Sequence, residues 1–301
     1  MIDRLRVTVL VENSVYAADL LAEHGVAFLV EAAGRRILFD TGQGRALLHN
    51  ARELGIPLSH LDAIVLSHGH FDHTGALADV LALPGEPAVY LHPAALDKRY
   101  TRRTAPPHRE IGMPDRGREA VDRARGRAVW TTHPAEIAPG LLVTGEIPRV
   151  AAFEDTGGKF YRDPECAAAD PIPDDQALVI DFAAGAVVVL GCAHAGVVNT
   201  LEYARHLSGR RTVHAVLGGM RLVNASEERL SETGKVFREN TGAKPGPCHC
   251  TGIQAVWRLR ERFAGRVMDC FTGAVLTFES QSGKGDPCHS PLMQCGKESN
   301  P

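Results

Sequence analysis

No apolar run in this sequence approaches the ~20 residues that a bilayer-spanning helix needs, so no membrane is expected among its partners. It carries little net charge, −3 over 301 residues, which gives no global electrostatic pull toward nucleic acid. Its seven cysteines are odd in number and scattered, unlike the framework of a small disulfide-stapled secreted domain. The opening stretch MIDRLRVTVLVENSV has no long apolar core and no small-residue cleavage site, and reads as a strand instead of a signal peptide. Short-period repeats and low-complexity tracts are also missing. These absences leave a cytoplasmic globular protein with a small-molecule partner as the expectation. Oligomeric state leaves no mark in the sequence.

What is present is ordinary core-forming material, 44% hydrophobic and 23% charged residues, enough for one large domain or two small ones. Apolar periodicity predicts strands near 5–11, 26–31, 36–40, 62–66, 88–91, 141–144, 176–182, 186–191, 213–217 and 270–278. It predicts helices near 44–54, 74–82, 196–208, 226–240 and 252–263. VAFLVEAAGRRILFD and DQALVIDFAAGAVVVLG read as hairpins turning at Ala33-Gly34-Arg35 and near Ala184-Gly185. Hairpins followed by single helices point to an α/β (α+β) class, mixed sheets with helices outside. The hairpins fall in opposite halves, which suggests a weak internal duplication. Two stretches look irregular: 92–128, where Lys98 to Arg127 holds ten basic against four acidic residues, and 150–174. From Gln281 onward no period is visible, and 281–301 reads as a disordered tail.

The strongest signal is Ser67-His68-Gly69-His70-Phe71-Asp72-His73, placed after the buried strand AIVL and before a helix. His68 and His70, two residues apart in an extended segment, face the same side. Asp72 and His73 sit at the turn into the helix and can aim back at the same point. Imidazole and carboxylate donors suit zinc, iron or manganese, and four within six residues fit two adjacent divalent cations better than one. The alternative, a surface loop that happens to hold histidines, is rare at this spacing. Two further histidines, His194 and His249, each lie at a loop-to-helix junction.

This segment resembles the HxHxDH signature of the metallo-β-lactamase superfamily. The resemblance implies an αββα sandwich of two mixed sheets, with the metals at one edge between them and later ligands at the ends of later strands, where His194 and His249 fall. It implies one such domain over 1–280, with the Arg-rich 92–128 as an insertion. More of the chain is similar to one branch, the proteins related to the archaeal 7,8-dihydropterin-6-methyl-4-(β-D-ribofuranosyl)aminobenzene 5′-phosphate synthases. The matching pieces are LVEN at 10–13, EHG at 23–25, ILFDTGQ at 37–43, LSHGHFDHTGAL at 66–77, TGEIPR at 144–149, DDQALVI at 174–180, GCAHAGVVNTLE at 191–202 and HCTG at 249–252. Two departures stand out. The superfamily's metal-bridging aspartate, within a Gly-Asp pair, is here Gly191-Cys192, and Cys192 is either a thiolate ligand or a buried thiol. The branch's Gly-Gly-Phe-His-Leu reads Gly218-Gly219-Met220-Arg221-Leu222, and Arg221 cannot bind a metal.

These residues suggest that His68, His70 and His194 serve one ion and Asp72, His73 and His249 the other, with Asp72 and His73 closest to catalysis. Asp40 is either an acceptor that orients a ligand histidine or an ordinary strand-end turn residue. Arg149, Asp175 and Arg221 are candidate substrate contacts. The Asp174-Asp175-Gln176 run either meets substrate amides or caps a strand, and the arginines of 98–127 either hold phosphate or form a solvated loop. Cys248 and Cys250 read as small packing residues. The reaction expected first is hydrolysis of a small anionic, phosphorylated substrate. The branch implies instead a transferase, in which an arylamine displaces pyrophosphate from a pterin. A non-catalytic metal-binding sensor is the rival from another class.

Overall fold

The protein is described by a computed structural model for residues 1–239 and 242–280; the stretch 281–301, read as a tail, lies outside the described residues. One seven-stranded sheet runs in the order Val275–Glu279, Arg4–Val11, Ala27–Ala32, Arg35–Phe39, Ala63–Val65, Ala88–Leu91 and Ala128–Trp130. Its pairings are antiparallel as far as Arg35–Phe39 and parallel beyond. A six-stranded sheet runs Lys244–Cys248, Val213–Gly219, Gly185–Leu190, Ala177–Phe182, Leu141–Val143 and Ala135–Ala138. Its first three strands are parallel and the rest antiparallel. Each predicted hairpin falls in a different sheet. In the first, Ala33 and Gly34 both adopt positive φ, 51° and 70°, as a two-residue turn matched to strand twist requires.

The near-continuous apolar character of these strands follows from burial on both faces. Phe28, Val30, Ile37 and Phe39 of the first sheet meet Leu178, Ile180, Val187 and Val189 of the second in one core between the sheets. The alternate residues Leu29, Leu38 and Ile64 pack under Leu47, Ala51, Leu77 and Val80 of the outer helices. On the other side Val179, Val188 and Val216 pack under Val197, Leu201, Phe237 and Leu259. Three cores separating four layers make the αββα sandwich.

Several boundaries differ from the periodicity. The helix expected at 74–82 is two, Phe71–Thr74 and Leu77–Leu81, because the Gly75 amide leaves the helical ladder and donates to the Gly42 carbonyl at 2.9 Å. The last strand is only Val275–Glu279. The stretch 92–128 is more regular than its glycines and prolines suggest. It holds the helix Asp115–Arg123, and its strands Tyr100–Thr101 and Arg109–Glu110 form a small sheet with Phe160–Tyr161 from the other irregular stretch. Among the described residues no helix is long and apolar enough to cross a membrane.

Phe28 is fully buried between the sheets. Phe28→Ala is expected to lower unfolding free energy by about 3–5 kcal/mol in urea denaturation; a loss under about 1 kcal/mol would mean that the sheets do not share this core.

Candidate metal centre

The strands that feed the site all end at one edge. In the first sheet, Arg4–Val11, Arg35–Phe39 and Ala63–Val65 run in the same direction and deliver Asn13, Asp40 and the 67–73 loop. In the second, the parallel strands Gly185–Leu190, Val213–Gly219 and Lys244–Cys248 deliver Cys192 with His194, Arg221 and His249. The loops pack closely: a Cβ on Gly69 would strike the Ala95 carbonyl, and one on Gly191 would strike the Ser67 hydroxyl. Asp40, Ala193, Arg221 and His249 all adopt positive φ, 59°, 54°, 49° and 49°, a region costly for residues with a side chain.

Four imidazoles have one nitrogen accounted for and the other turned into a common space. His73 Nδ1 lies 2.7 Å from Asp40 Oδ2. The same oxygen accepts the Ser67 hydroxyl at 2.7 Å, so Ser67 Oγ, 2.9 Å from His68 Nδ1, must accept from that ring. His194 Nδ1 donates to the Thr156 carbonyl at 2.7 Å, and His249 Nδ1 to Asn13 Oδ1 at 2.9 Å. With the proton fixed on Nδ1, the Nε2 lone pair is free for another partner. The buried Nε2 atoms of His194, His249 and His70 make no hydrogen bond, although His249 Nε2 lies 3.4 Å from Asp72 Oδ2. His68 Nε2 instead lies 2.8 Å from His70 Nδ1, and His73 Nε2 lies 3.2 Å from Cys192 Sγ. Three donor groups emerge: His68, Cys192 and His194; His73, Cys192 and His249; and His24, Asp72 and His249. Within each, the potential ligand atoms are no more than 4.8 Å apart.

Electrostatics sort these groups by charge. Burial holds His68, His70, His194 and His249 below the usual imidazole range, with neighbouring cations adding to it; neutral imidazole is the metal-binding form. Burial also acts on His73, but Asp40 and Asp72 overcome it and raise the ring to about 9, so the cluster favours a positive charge at that point. Asp72 is kept ionised against burial by His73, His24 and His249. Burial pushes the Cys192 thiol up. Burial acts likewise on Cys250, but its bond to Cys192 and the Arg221 charge bring it down to about 7.

The other expected contacts have different tasks. Arg149 donates its guanidinium to the carbonyls of His194, Pro171 and Ile172, at 2.8, 2.7 and 3.0 Å, and so fastens the His194 loop. Asp175 accepts the Ala195 amide at 2.7 Å. Asp174 binds the Gly69 amide, and Gln176 the Leu66 carbonyl, each at 2.7 Å. All three carboxamide and carboxylate groups are buried and brace the metal loops. Arg99, from the stretch read as either phosphate-holding or solvated, is buried between Asp170 and Asp174. Arg221 remains at the cluster: its guanidinium lies over the Phe160 ring at 5.2 Å, and Nη1 is 4.0 Å from Cys192 Sγ. Cys248 packs in the inter-sheet core, whereas Cys250 lies against Cys192, donating to its carbonyl at 3.5 Å.

Residue-level reading passed over His24, Asn13 and Ser67, and took Cys250 for a packing residue. His24 Nε2 is 3.2 Å from Asp72 Oδ2, on a side chain 60% exposed. Asn13 joins it to His249, its amide lying 3.4 Å from His24 Nδ1. Both residues stood inside matched pieces, LVEN and EHG, but nothing local marks an asparagine as the partner of a histidine more than two hundred residues away.

The sequence profile described as the Metallo-beta-lactamase superfamily matches residues 21–164. The chain is similar to the 7,8-dihydropterin-6-methyl-4-(beta-D-ribofuranosyl)-aminobenzene-5′-phosphate synthase of Methanocaldococcus jannaschii, 29% identical over 289 residues, covering 92% of this chain and 98% of that protein. An uncharacterised protein of the same archaeon is 30% identical over 258 residues, 85% of this chain and 94% of that one. Among solved structures, one described as a metal-dependent hydrolase of the beta-lactamase superfamily superposes with a TM-score of 0.76 at 29% identity, covering 92% of this chain and 100% of that one.

Burial raises the Asp175 carboxyl to about 6 from an ordinary 3.8. A carboxyl raised on folding costs stability once the unfolded chain ionises, so the cost begins near pH 4 and is complete above pH 6. Asp175→Asn is expected to gain on the wild type by up to about 3 kcal/mol in unfolding free energy as pH rises from 4 to 7, measured on metal-free protein. A difference that does not change with pH would contradict this.

Proposed function

Because this chain belongs to the metallo-β-lactamase superfamily, we propose that its histidine cluster holds two divalent cations and that the protein is a metal-dependent hydrolase of a small anionic, phosphorylated molecule. The observation that carries this is the set of buried imidazoles whose Nδ1 atoms are fixed by Asp40, Ser67, Thr156 and Asn13, while two of their buried Nε2 atoms, those of His194 and His249, make no hydrogen bond. Buried polar atoms are rarely left unsatisfied, and a second hydrogen-bonded nitrogen is the usual companion of a metal-bound histidine. The donors fit zinc, iron or manganese.

On this reading His68, His70 and His194 hold one cation, and Asp72, His73 and His249 the other. Bound there, the cations supply Lewis acidity to a water and to an anionic oxygen of the substrate. The chain's own groups do the rest. Asp72, kept ionised beside the exposed His24, accepts a hydrogen bond from the attacking group and orients it. His73, tied to Asp40, is fixed in place beside it. Arg221, its guanidinium over the Phe160 ring, binds a substrate phosphate. The exposed His24 beside Asp72 marks the side on which substrate would enter. Neither nucleic acid nor a membrane is needed as a partner.

A second reading, transfer with loss of pyrophosphate, is supported by the likeness to the archaeal synthase along nearly that protein's whole length. The same Arg221 would then meet the departing pyrophosphate. A hydrolase turns over generic phosphodiesters, phosphomonoesters or thioesters with zinc or manganese present. A transferase ignores these and releases pyrophosphate from a pterin donor only when an arylamine is added. A sensor binds metal and turns over nothing.

His70→Ala is expected to lose at least one cation per chain by elemental analysis and to reduce turnover by at least about 100-fold, with its far-ultraviolet circular dichroism unchanged. Wild-type metal content and turnover in that variant would refute the assignment.

A further inference from the structure

Cys192 stands where the superfamily's bridging aspartate is expected, and its surroundings are not those of a packing thiol. Cys248 and Cys270 belong to the apolar core between the sheets; Cys192 is buried among imidazoles instead. Its sulfur lies 3.2 Å from His73 Nε2. It is also the one side chain common to the His68–His194 group and the His73–His249 group. The two histidines that complete those groups, His194 and His249, both have a buried Nε2 that makes no hydrogen bond. In each group, therefore, imidazole nitrogens lie within 4.8 Å of the same sulfur.

We propose that Cys192 is a thiolate ligand shared by both cations, which makes the centre selective for zinc, iron(II) or cobalt(II) over manganese and magnesium. This rests on the metal-centre reading above and deepens it. As the sulfur–metal bonds form, the thiol proton leaves to solvent, as proton release on metal binding requires. Thiolate is a softer donor than the carboxylate it replaces, and softness shifts preference away from manganese and magnesium, which favour oxygen. Arg221, 4.0 Å from the sulfur, adds a fixed positive charge that compensates the anion. Cys250 donates to the Cys192 carbonyl and orients that loop without being a ligand.

The test is cobalt(II) titration of chelator-stripped wild type and of Cys192→Ser, Cys192→Asp and Cys250→Ser, followed by absorbance, with metal counted by elemental analysis. Wild type is expected to take two cobalt ions and to show a thiolate-to-cobalt charge-transfer band in the near ultraviolet. Cys250→Ser keeps the band. Cys192→Ser and Cys192→Asp lose it. Cys192→Asp still binds two ions, and its preference for zinc over manganese falls at least about tenfold. Two cobalt ions without the band in wild type would overturn the proposal. So would a band that survives in Cys192→Ser or vanishes in Cys250→Ser, or one that accompanies a single ion. Wild type that binds no cobalt at all would instead sink the metal-centre reading itself.

Discussion

One buried carboxylate organises the candidate centre. Asp40 receives the Ser67 amide on one oxygen and, on the other, both the Ser67 hydroxyl and the His73 ring, each at 2.7 Å. Through Ser67 it also settles which nitrogen of His68 carries the proton. Two imidazoles of the signature loop are thereby locked in the tautomer that leaves Nε2 as a donor atom to a cation. Without that carboxylate the rings would be free to flip, and the four residues of the loop would not define a site. The arrangement depends on an aspartate at the end of a neighbouring strand, not on the loop itself.

The donors come from both halves of the chain. The first sheet supplies His68, His70, Asp72 and His73, and the second supplies Cys192, His194 and His249. Neither half has a complete set, so assembly of the site is tied to formation of the core between the sheets. Buried ionic braces hold the two sets of loops in register. Arg99 is shared by Asp170 and Asp174, and Asp174 in turn holds the Gly69 amide. At the surface, Arg149 holds the carbonyl of His194. A guanidinium that meets carbonyls in several directions fixes a loop more rigidly than any single contact.

Much of this was legible in the sequence because the information was local. The strand–loop–helix signature at 67–73 carries its own spacing, and doubly buried strands announce themselves as valine and isoleucine runs. The hairpin at Ala33-Gly34 is a two-residue turn written in turn chemistry. What escaped was long-range and polar. Arg149 looks like a charge suited to a phosphate, and Asp174 and Asp175 look like contacts for substrate amides, yet Arg149 and Asp175 meet backbone groups, and Asp174 meets the Gly69 amide and the Arg99 guanidinium. No sequence pattern distinguishes an arginine that meets a ligand from one that meets three carbonyls. Asn13 and His24 escaped for the same reason, since their partners His249 and Asp72 lie far away in the chain. The stretch 92–128 misled through composition: its prolines and glycines punctuate a helix and two short strands, and one of its ten cations is among the most deeply buried side chains in the molecule.

The left-handed backbone at Asp40, Ala193, Arg221 and His249 has a thermodynamic meaning. Each such residue is held in a conformation that costs on the order of 1–3 kcal/mol and that a free peptide would abandon. Concentrating them around the donor atoms means that the rest of the sandwich must be stable enough to hold the rim under tension. The apolar layers are therefore a spring frame as well as a core, and mutations that merely soften them would let the rim relax before the protein as a whole came apart.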